Sequence, residues 1–309
     1  MGGWVLSQLR QGVEKTMITA ADDLRHSQGL EENYSESKWF SFYDETSDIW
    51  VSSRMGLEPN KKKANRWLVA AVQGNIIIND LNGDLELPDE NWNRITAGGL
   101  EYGTIKPMSE YEIKFDLESI SAHIAWEALT PVFDHKDCYA PMPPSLAAEH
   151  YEQSGKVSGT MSVSGRHYVI DGIGHRDHSW GVRHWEGFRS WVAFMGHFGL
   201  DYFFHLEQFH EQSTGLSWHG FVCRDGENIP ITQVHMEPAY SGDLQFPGQF
   251  NVQLEDMKGG TADITGNFRS GAPLTFGDCR VMESFGTFSM GGETAAGVIE
   301  YGFTQNFKG

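Results

Sequence analysis

The densest run of chemistry-bearing side chains lies between Asp171 and Trp185, where His175, Arg176, Asp177, His178, Trp180, Arg183, His184 and Trp185 fall within eleven residues. Charged and polar groups need partners when buried, and tryptophans are costly to leave in water, so such a run is neither plain core nor solvent loop. A second group follows in Phe203-Phe-His-Leu-Glu-Gln-Phe209. Strand alternation puts Phe203, His205, Glu207 and Phe209 on one face. The same alternation puts Trp191, Ala193, Met195 and His197 on one face of the preceding strand, and His219 on a following one. Glu207 on an apolar wall is a candidate acid, because desolvation disfavours its anion. His178 with Trp180, and His205 with Glu207, are the candidate working pairs, with Arg176, Asp177 and Arg183 also able to form a structural ion-pair knot that closes a barrel.

The thirteen histidines raise the question of a metal. His175 and His178 stand three apart, followed by His205, Glu207 and His210, which matches neither a His-Glu-x-x-His helix nor a Cys/His finger nor a His-x-His barrel pair. The expectation is no metal. Asp171-Gly-Ile-Gly174 has neither dinucleotide-fold nor P-loop spacing, so no nucleotide cofactor is expected either.

The elements that must hold these residues are short strands. Apolar and polar residues alternate over Ile113–Leu117 and Ala122–Ala128, and strand patterns recur over Trp67–Ile78, Gly159–Val163, Tyr168–Ile173, Trp191–His197, Tyr202–Phe209, Leu216–Cys223, Phe250–Leu254, Thr261–Phe268 and Val298–Phe303. Asn82-Gly-Asp84 reads as a turn, and Gly172, Gly174 and Gly181 as breaks within the His/Arg/Trp run. Many short strands at close turn spacing indicate a sandwich or barrel rather than alternating strands and helices. Residues 3–26 carry the best helical periodicity, and the proline-rich stretch 131–150 reads as a connection.

Composition narrows the classes. A net charge of −19 argues against nucleic acid and anionic membrane partners. The basic run Lys61-Lys62-Lys63 beside Pro59 and Asn60 reads as a solvated turn. Three scattered cysteines form no disulfide framework, and no window reaches the roughly twenty apolar residues of a membrane span. A cytoplasmic protein, monomer or homodimer, is expected.

The run Gly172-x-Gly-His-Arg-Asp-His-Ser-Trp-Gly-x-Arg-x-Trp185 resembles the signature of the carotenoid 1,2-hydratase (hydroxyneurosporene synthase) and AttH-like superfamily, a lipocalin-like group that includes kievitone hydratase and Diels–Alderases. The specific part of the likeness spans about 155–185. The resemblance implies a mainly β protein of two consecutive lipocalin-like antiparallel barrels, with a ligand cavity near their interface. With the N-terminal helix this gives a helical segment 1–30, a first barrel 31–150, and a second barrel 151–309 carrying the signature. It also implies that a His-x-Trp pair works on the substrate, here His178 and Trp180. The family's Tyr-x-Asp pair is replaced at comparable spacing by His205 and Glu207.

The expected function is a cofactor-independent hydratase or dehydratase acting on a small apolar, terpenoid-like substrate. Glu207 donates the proton, His178 oriented by Asp177 handles the water, and Trp180 faces the cation. His205 completes the catalytic set. Trp185, Trp191, His197, Phe203 and His219 join Trp180 in lining the substrate, and Arg176 and Arg183 support. A cyclase or isomerase, and a carrier without chemistry, are the alternatives.

Overall fold

The computed structural model describes residues 18–88, 93–237 and 248–304. The strands are β1 (Tyr34–Asp44), β2 (Ile49–Glu58), β3 (Lys63–Val72), β4 (Asn75–Glu86), β5 (Arg94–Ala97), β6 (Leu100–Lys106), β7 (Glu110–Leu117), β8 (Ile120–Ala128), β9 (Phe133–Asp134), β10 (Glu149–Val163) and β11 (Arg166–Val182). After them come β12 (Phe188–Phe198), β13 (Tyr202–Glu211), β14 (Gly215–Arg224), β15 (Glu227–Glu237), β16 (Gln249–Asp256), β17 (Thr261–Phe276), β18 (Cys279–Met290) and β19 (Glu293–Thr304). All pairings are antiparallel, as connections of a few residues between consecutive strands require.

β1–β11 form one sheet in the order β4-β3-β2-β1-β11-β10-β8-β7-β6-β5, with β9 added beside β10. The sheet curls until its far end approaches β3, where the Arg66 guanidinium donates to the carbonyl of Gly98 and pairs with Asp80 at 2.7 Å. β12–β19 close into an eight-stranded barrel. The fold is therefore mainly β with two barrel-like units, as expected.

Each unit has its own apolar filling. Phe40, Val51, Leu68, Ile113, Ile124, Trp126 and Met161 pack inside the first. Phe194, Phe204, Leu206, Val222, Phe250, Ile264, Phe288 and Ile299 fill the second. A third cluster, with Trp39, Trp50, Trp67, Phe133, Trp191, Phe203, Phe221 and Phe285, lies between the two. Strands contributing to it are apolar on both faces, one toward their own interior and one toward the other unit.

Several expectations change. The signature run is continuous strand through Val182 and pairs with β1 and β10, so sheet membership changes between Val182 and Phe188, not at 150. Gly172 does not break the strand. A side chain there would meet the Tyr43 carbonyl at 2.1 Å, so glycine permits the close approach to β1. The turn expected at Asn82–Asp84 lies within β4. The hairpin bends instead at Gln73 and Gly74, whose φ of 51° and 74° suit a tight antiparallel turn. The expected helix 3–26 lies largely outside the described residues. Its described part holds only a single 3-10 turn, Ala20–Asp23. Lys62, with φ of 55°, sits in a turn as expected. All three cysteines are free and buried. No helix among the described residues is long and apolar enough to cross a membrane.

Candidate active site

Adjacent strand residues point to opposite faces, and on β10 and β11 this separates two polar clusters. Tyr151, Gln153, Arg176, His178 and Trp180 face the interior of the first unit. His150, Glu152, Ser154, His175, Asp177 and Ser179 face the second barrel. The register pairs Glu152 with Asp177 and Tyr151 with His178, which keeps each set together.

The inward cluster is fully committed. His178 Nδ1 lies 3.0 Å from the Tyr151 hydroxyl and its Nε2 2.9 Å from Glu36 Oε1. Arg176 donates to Gln153 Oε1 at 2.8 Å and to Asp23 Oδ1 at 3.2 Å, and lies 4.3 Å above the Tyr111 ring. Tyr151 donates to Asp23 at 2.6 Å. Trp180 stacks on His26 at 3.6 Å. Burial pushes His178 down despite Glu36, and the partners of Glu36 outweigh its burial and hold its carboxyl down at about 2.

The other face opens on a cavity of about 690 Å³ between the two units. Trp39, Trp67, Trp185 and Trp191 supply aromatic wall, with Phe188, Met195, Phe209 and Val298. Polar groups enter from both sides: Arg54, His150, Glu152, Asp177 and Arg183 from the first unit, Glu207 and Glu300 from the second. The ligand space is thus between the barrels, on the outer face of β12, β13 and β19, and not inside the second barrel, whose interior is packed with phenylalanine and aliphatic side chains.

The registers locate the two barrel carboxylates. Ala193 pairs with Glu207 on one side and with Glu300 on the other. Two strand spacings place them on one floor about 10 Å apart with the small Ala193 between. Trp191 pairs with Gly302, where any side chain would strike its ring at 2.1 Å, so the indole lies flat on β19 and donates to Glu300 Oε1 at 2.6 Å. Glu300 stands against Glu283, whose Oε1 accepts from the Ser52 hydroxyl at 2.5 Å. Burial first, and then the neighbouring Glu283 carboxylate, push Glu300 well above the ordinary carboxylate range. Burial likewise raises Glu283.

Opposite them, Glu152 gathers histidines. His175 Nε2 lies 2.6 Å from its Oε2 and His150 Nε2 2.9 Å from its Oε1. His150 also lies 3.5 Å from Asp177. Burial opposes the charge on His150, yet Asp177 and Glu152 outweigh it and hold the ring up at about 10. Arg183, buried and facing Arg54, is pushed down to about 9. It donates to the hydroxyls of Ser37 and Ser179.

Of the residues expected from the sequence, Asp177, Arg183, Trp185, Trp191 and Glu207 line the cavity. His205 and Phe203 lie just behind, with Phe203 stacked on His175 at 4.9 Å and against His197 at 4.4 Å. His219 is buried beside Ser217 and borders Glu207 across the β13–β14 pairing. His178, Trp180 and Arg176 do not join them, because they occupy the other face of β11. Asp177 therefore cannot orient His178. Nor is the surround of Glu207 apolar: His135 Nδ1 lies 3.6 Å and His205 Nε2 3.5 Å away. The sequence reading missed His135, His150, Glu152, Glu283 and Glu300. One signal was present: His150-Tyr-Glu152 repeats the His-x-Glu spacing of His205-Leu-Glu207, and the two pairs face one another across the interface.

The family described as "Domain of unknown function (DUF7064)" matches residues 19–305, and the chain belongs to it. No curated protein matches the sequence. Among solved structures, an AttH-type protein from Nitrosomonas europaea superposes with a TM-score of 0.67 at 13% identity, covering 96% of this chain and 98% of the other. Kievitone hydratase from Nectria haematococca gives 0.68 at 12%, covering 94% and 95%. CghA gives 0.62 at 11%, covering 89% and 90%. These are the structural relatives the signature run implied, and at such identities the likeness is one of fold.

Proposed function

We propose that this member of the DUF7064 family is a hydro-lyase that adds water to, or removes it from, a small apolar substrate of terpenoid type held between its barrels. The observation that carries the reading is Glu300. It is a carboxyl in the wall of an aromatic cavity, paired across the hairpin with Glu283, and its burial and that neighbour favour the protonated form. Protonating an unactivated alkene requires such an acid, and the cation that forms requires a π-face nearby; Trp191 lies directly beside Glu300. In the hydration direction the Glu300 proton bonds to one alkene carbon and leaves the other cationic. Water oxygen bonds to that carbon and gives its proton to Asp177 across the cavity. Exchange through solvent returns a proton to Glu300. Kievitone hydratase, one of the structural relatives, is by name a hydratase, which supports the direction of this reading.

The four tryptophans also favour a second reading, in which the same acid starts a cyclisation and the aromatic wall folds the chain of the substrate. One experiment separates the two. The protein is incubated in heavy water with a panel of isoprenoid alkenes and tertiary alcohols beside Glu300→Gln and Asp177→Asn, with products read by mass spectrometry. Products shifted by one water, absent with Glu300→Gln, support the hydro-lyase. Rearranged products with no net gain of water support the cyclase. Turnover that survives Glu300→Gln overturns the role of Glu300 in both.

A further inference from the structure

Behind the cavity wall, His135 and His205 each stand between the same two carboxylates. His135 Nε2 is 3.8 Å from Glu152 Oε1, and His205 Nδ1 is 3.7 Å from Glu152 Oε2. Their other nitrogens face Glu207, at 3.6 Å from His135 Nδ1 and 3.5 Å from His205 Nε2. These separations are too long for hydrogen bonds. Both nitrogens of both rings, and Glu207 Oε2, are buried without a hydrogen-bond partner. Both imidazoles are fully buried. Such orphaned groups are costly in an interior unless something occupies the gap.

A divalent ion would fill it. One ligand atom from each of His135, Glu152 and His205 lies within 4.8 Å of the other two. Bonds of about 2.0–2.2 Å to nitrogen and carboxylate oxygen place neighbouring ligand atoms roughly 2.8–3.6 Å apart. The two His–Glu152 gaps of 3.8 and 3.7 Å, each to a different oxygen of Glu152, lie just above that range, and the set must draw together around the ion. The surroundings suit an ion as well. Glu207 stands where both ligand imidazoles can donate their remaining N–H, the arrangement that fixes tautomer and ring orientation in His-ligated metal centres. His175 and His150 lie against the two oxygens of Glu152. Phe221, 5.7 Å from the His205 ring, and Phe133, 6.1 Å from His135, enclose the far side. The position of His135 is built rather than incidental. β9 pairs Phe133 with Glu152 and Asp134 with Tyr151, and Asp134 caps the following 3-10 turn by accepting from the Lys136 amide at 2.9 Å. Two further groups, His135 with His150 and Glu207, and His150 with Glu152 and Asp177, overlap this one and share its residues. The separate group of His26, Glu36 and His178 has hydrogen bonds of 3.0 and 2.9 Å and needs no ion.

The geometry points to a first-row divalent metal site of two histidines and one carboxylate, His135, His205 and Glu152, with Glu207 as the outer carboxylate. Nitrogen-rich donors with a single carboxylate select Zn²⁺, Fe²⁺ or Co²⁺ over Mg²⁺ or Ca²⁺. Glu152 and Glu207 line the cavity, so the site borders it. This site is independent of the acid role of Glu300: Glu300→Gln removes proton transfer and leaves metal uptake intact.

The test uses the full-length protein, stripped with a chelator and titrated with Zn²⁺ and with Co²⁺. One ion per chain is expected by elemental analysis, with visible Co²⁺ bands of nitrogen–oxygen ligation. His205→Ala and Glu152→Gln abolish stoichiometric uptake, Glu207→Gln weakens affinity about 10–100-fold, and exposed His184→Ala leaves it unchanged. Pulsed electron paramagnetic resonance on Cu²⁺-loaded wild type, which depends on no variant's folding, shows coupling to two imidazole nitrogens. Less than a tenth of an ion per chain in wild type (on the order of background) overturns the site, as does coupling to no imidazole or undiminished uptake by a folded His205→Ala.

Discussion

Asp177 and His178 are neighbours in the chain that serve opposite faces of one sheet. Asp177 Oδ2 lies 3.5 Å from His150 Nε2 at the inter-barrel cavity, whereas His178 Nε2 lies 2.9 Å from Glu36 Oε1 inside the first unit. Substitution should separate them. His178→Ala removes a partner from the buried Glu36 and should cost about 1–3 kcal/mol in urea unfolding, with binding of an apolar cavity probe unchanged. Asp177→Asn should move stability little and cut turnover on the order of 10²-fold or more. Equal loss of turnover in both, with both stable, would contradict this division.

The alkaline limb of the pH profile follows from Glu300. Its raised folded-state pKa means that the reactive proton is present at low pH and lost as pH rises through that value. The groups facing it are Glu283, Glu207, Arg54 and the Trp191 indole. Turnover should fall about tenfold per pH unit on the alkaline side, with a midpoint above that of an ordinary carboxylate. The stability carried by the same group is complete below the ordinary glutamate pKa and is lost as pH rises through the folded value. Glu300→Gln should therefore flatten the stability decline toward alkaline pH. A decline identical to wild type would contradict a protonated Glu300.

Trp191→Phe tests the tuning of that acid. The indole N–H donates to Glu300 Oε1 at 2.6 Å and favours the anion, offsetting part of the burial. Losing it should shift the alkaline midpoint of turnover further upward. A downward shift would mean that the indole donates to something other than the acid.

Ala193→Phe tests the cavity floor. Ala193 lies between Glu207 and Glu300 in register and faces open volume. A ring there should weaken binding of apolar ligands at least about tenfold while costing less than the roughly 1–3 kcal/mol of an overpacked core. Unchanged binding would place the ligand elsewhere.

Arg176 and Asp23 test the first unit's polar interior. Both are fully buried, and they pair at 3.2 Å. Asp23→Asn strands the guanidinium and should destabilise by about 3–5 kcal/mol. A denaturation midpoint equal to wild type would show that Tyr151 and Gln153 suffice to hold Arg176.

Alternation and turn chemistry are local properties, so the strands, the shared face of Trp191, Ala193 and Met195, and the shared face of His205 and Glu207 could be read from the sequence. The signature run was enough to imply two lipocalin-like units. Which face of β11 meets the second barrel was not legible, because a strand's period states which residues go together and is silent on what each face will touch. That decision rests on how the first sheet curls. It sent His178 and Trp180 into a closed polar interior and turned His175 and Asp177 toward the cavity. Glu300 looked like one more residue of a terminal strand until the β18–β19 hairpin set it beside Glu283, 17 residues earlier in the chain, and barrel closure brought Ala193 and Trp191 to its other side. His135, in a proline-rich connection, acquired its surroundings only when β9 joined β10. The chain's own periodicity determined the strands and their two-sidedness. The close apposition of carboxylates and histidines required tertiary structure, because desolvation and charge coupling depend on distances that no local pattern encodes.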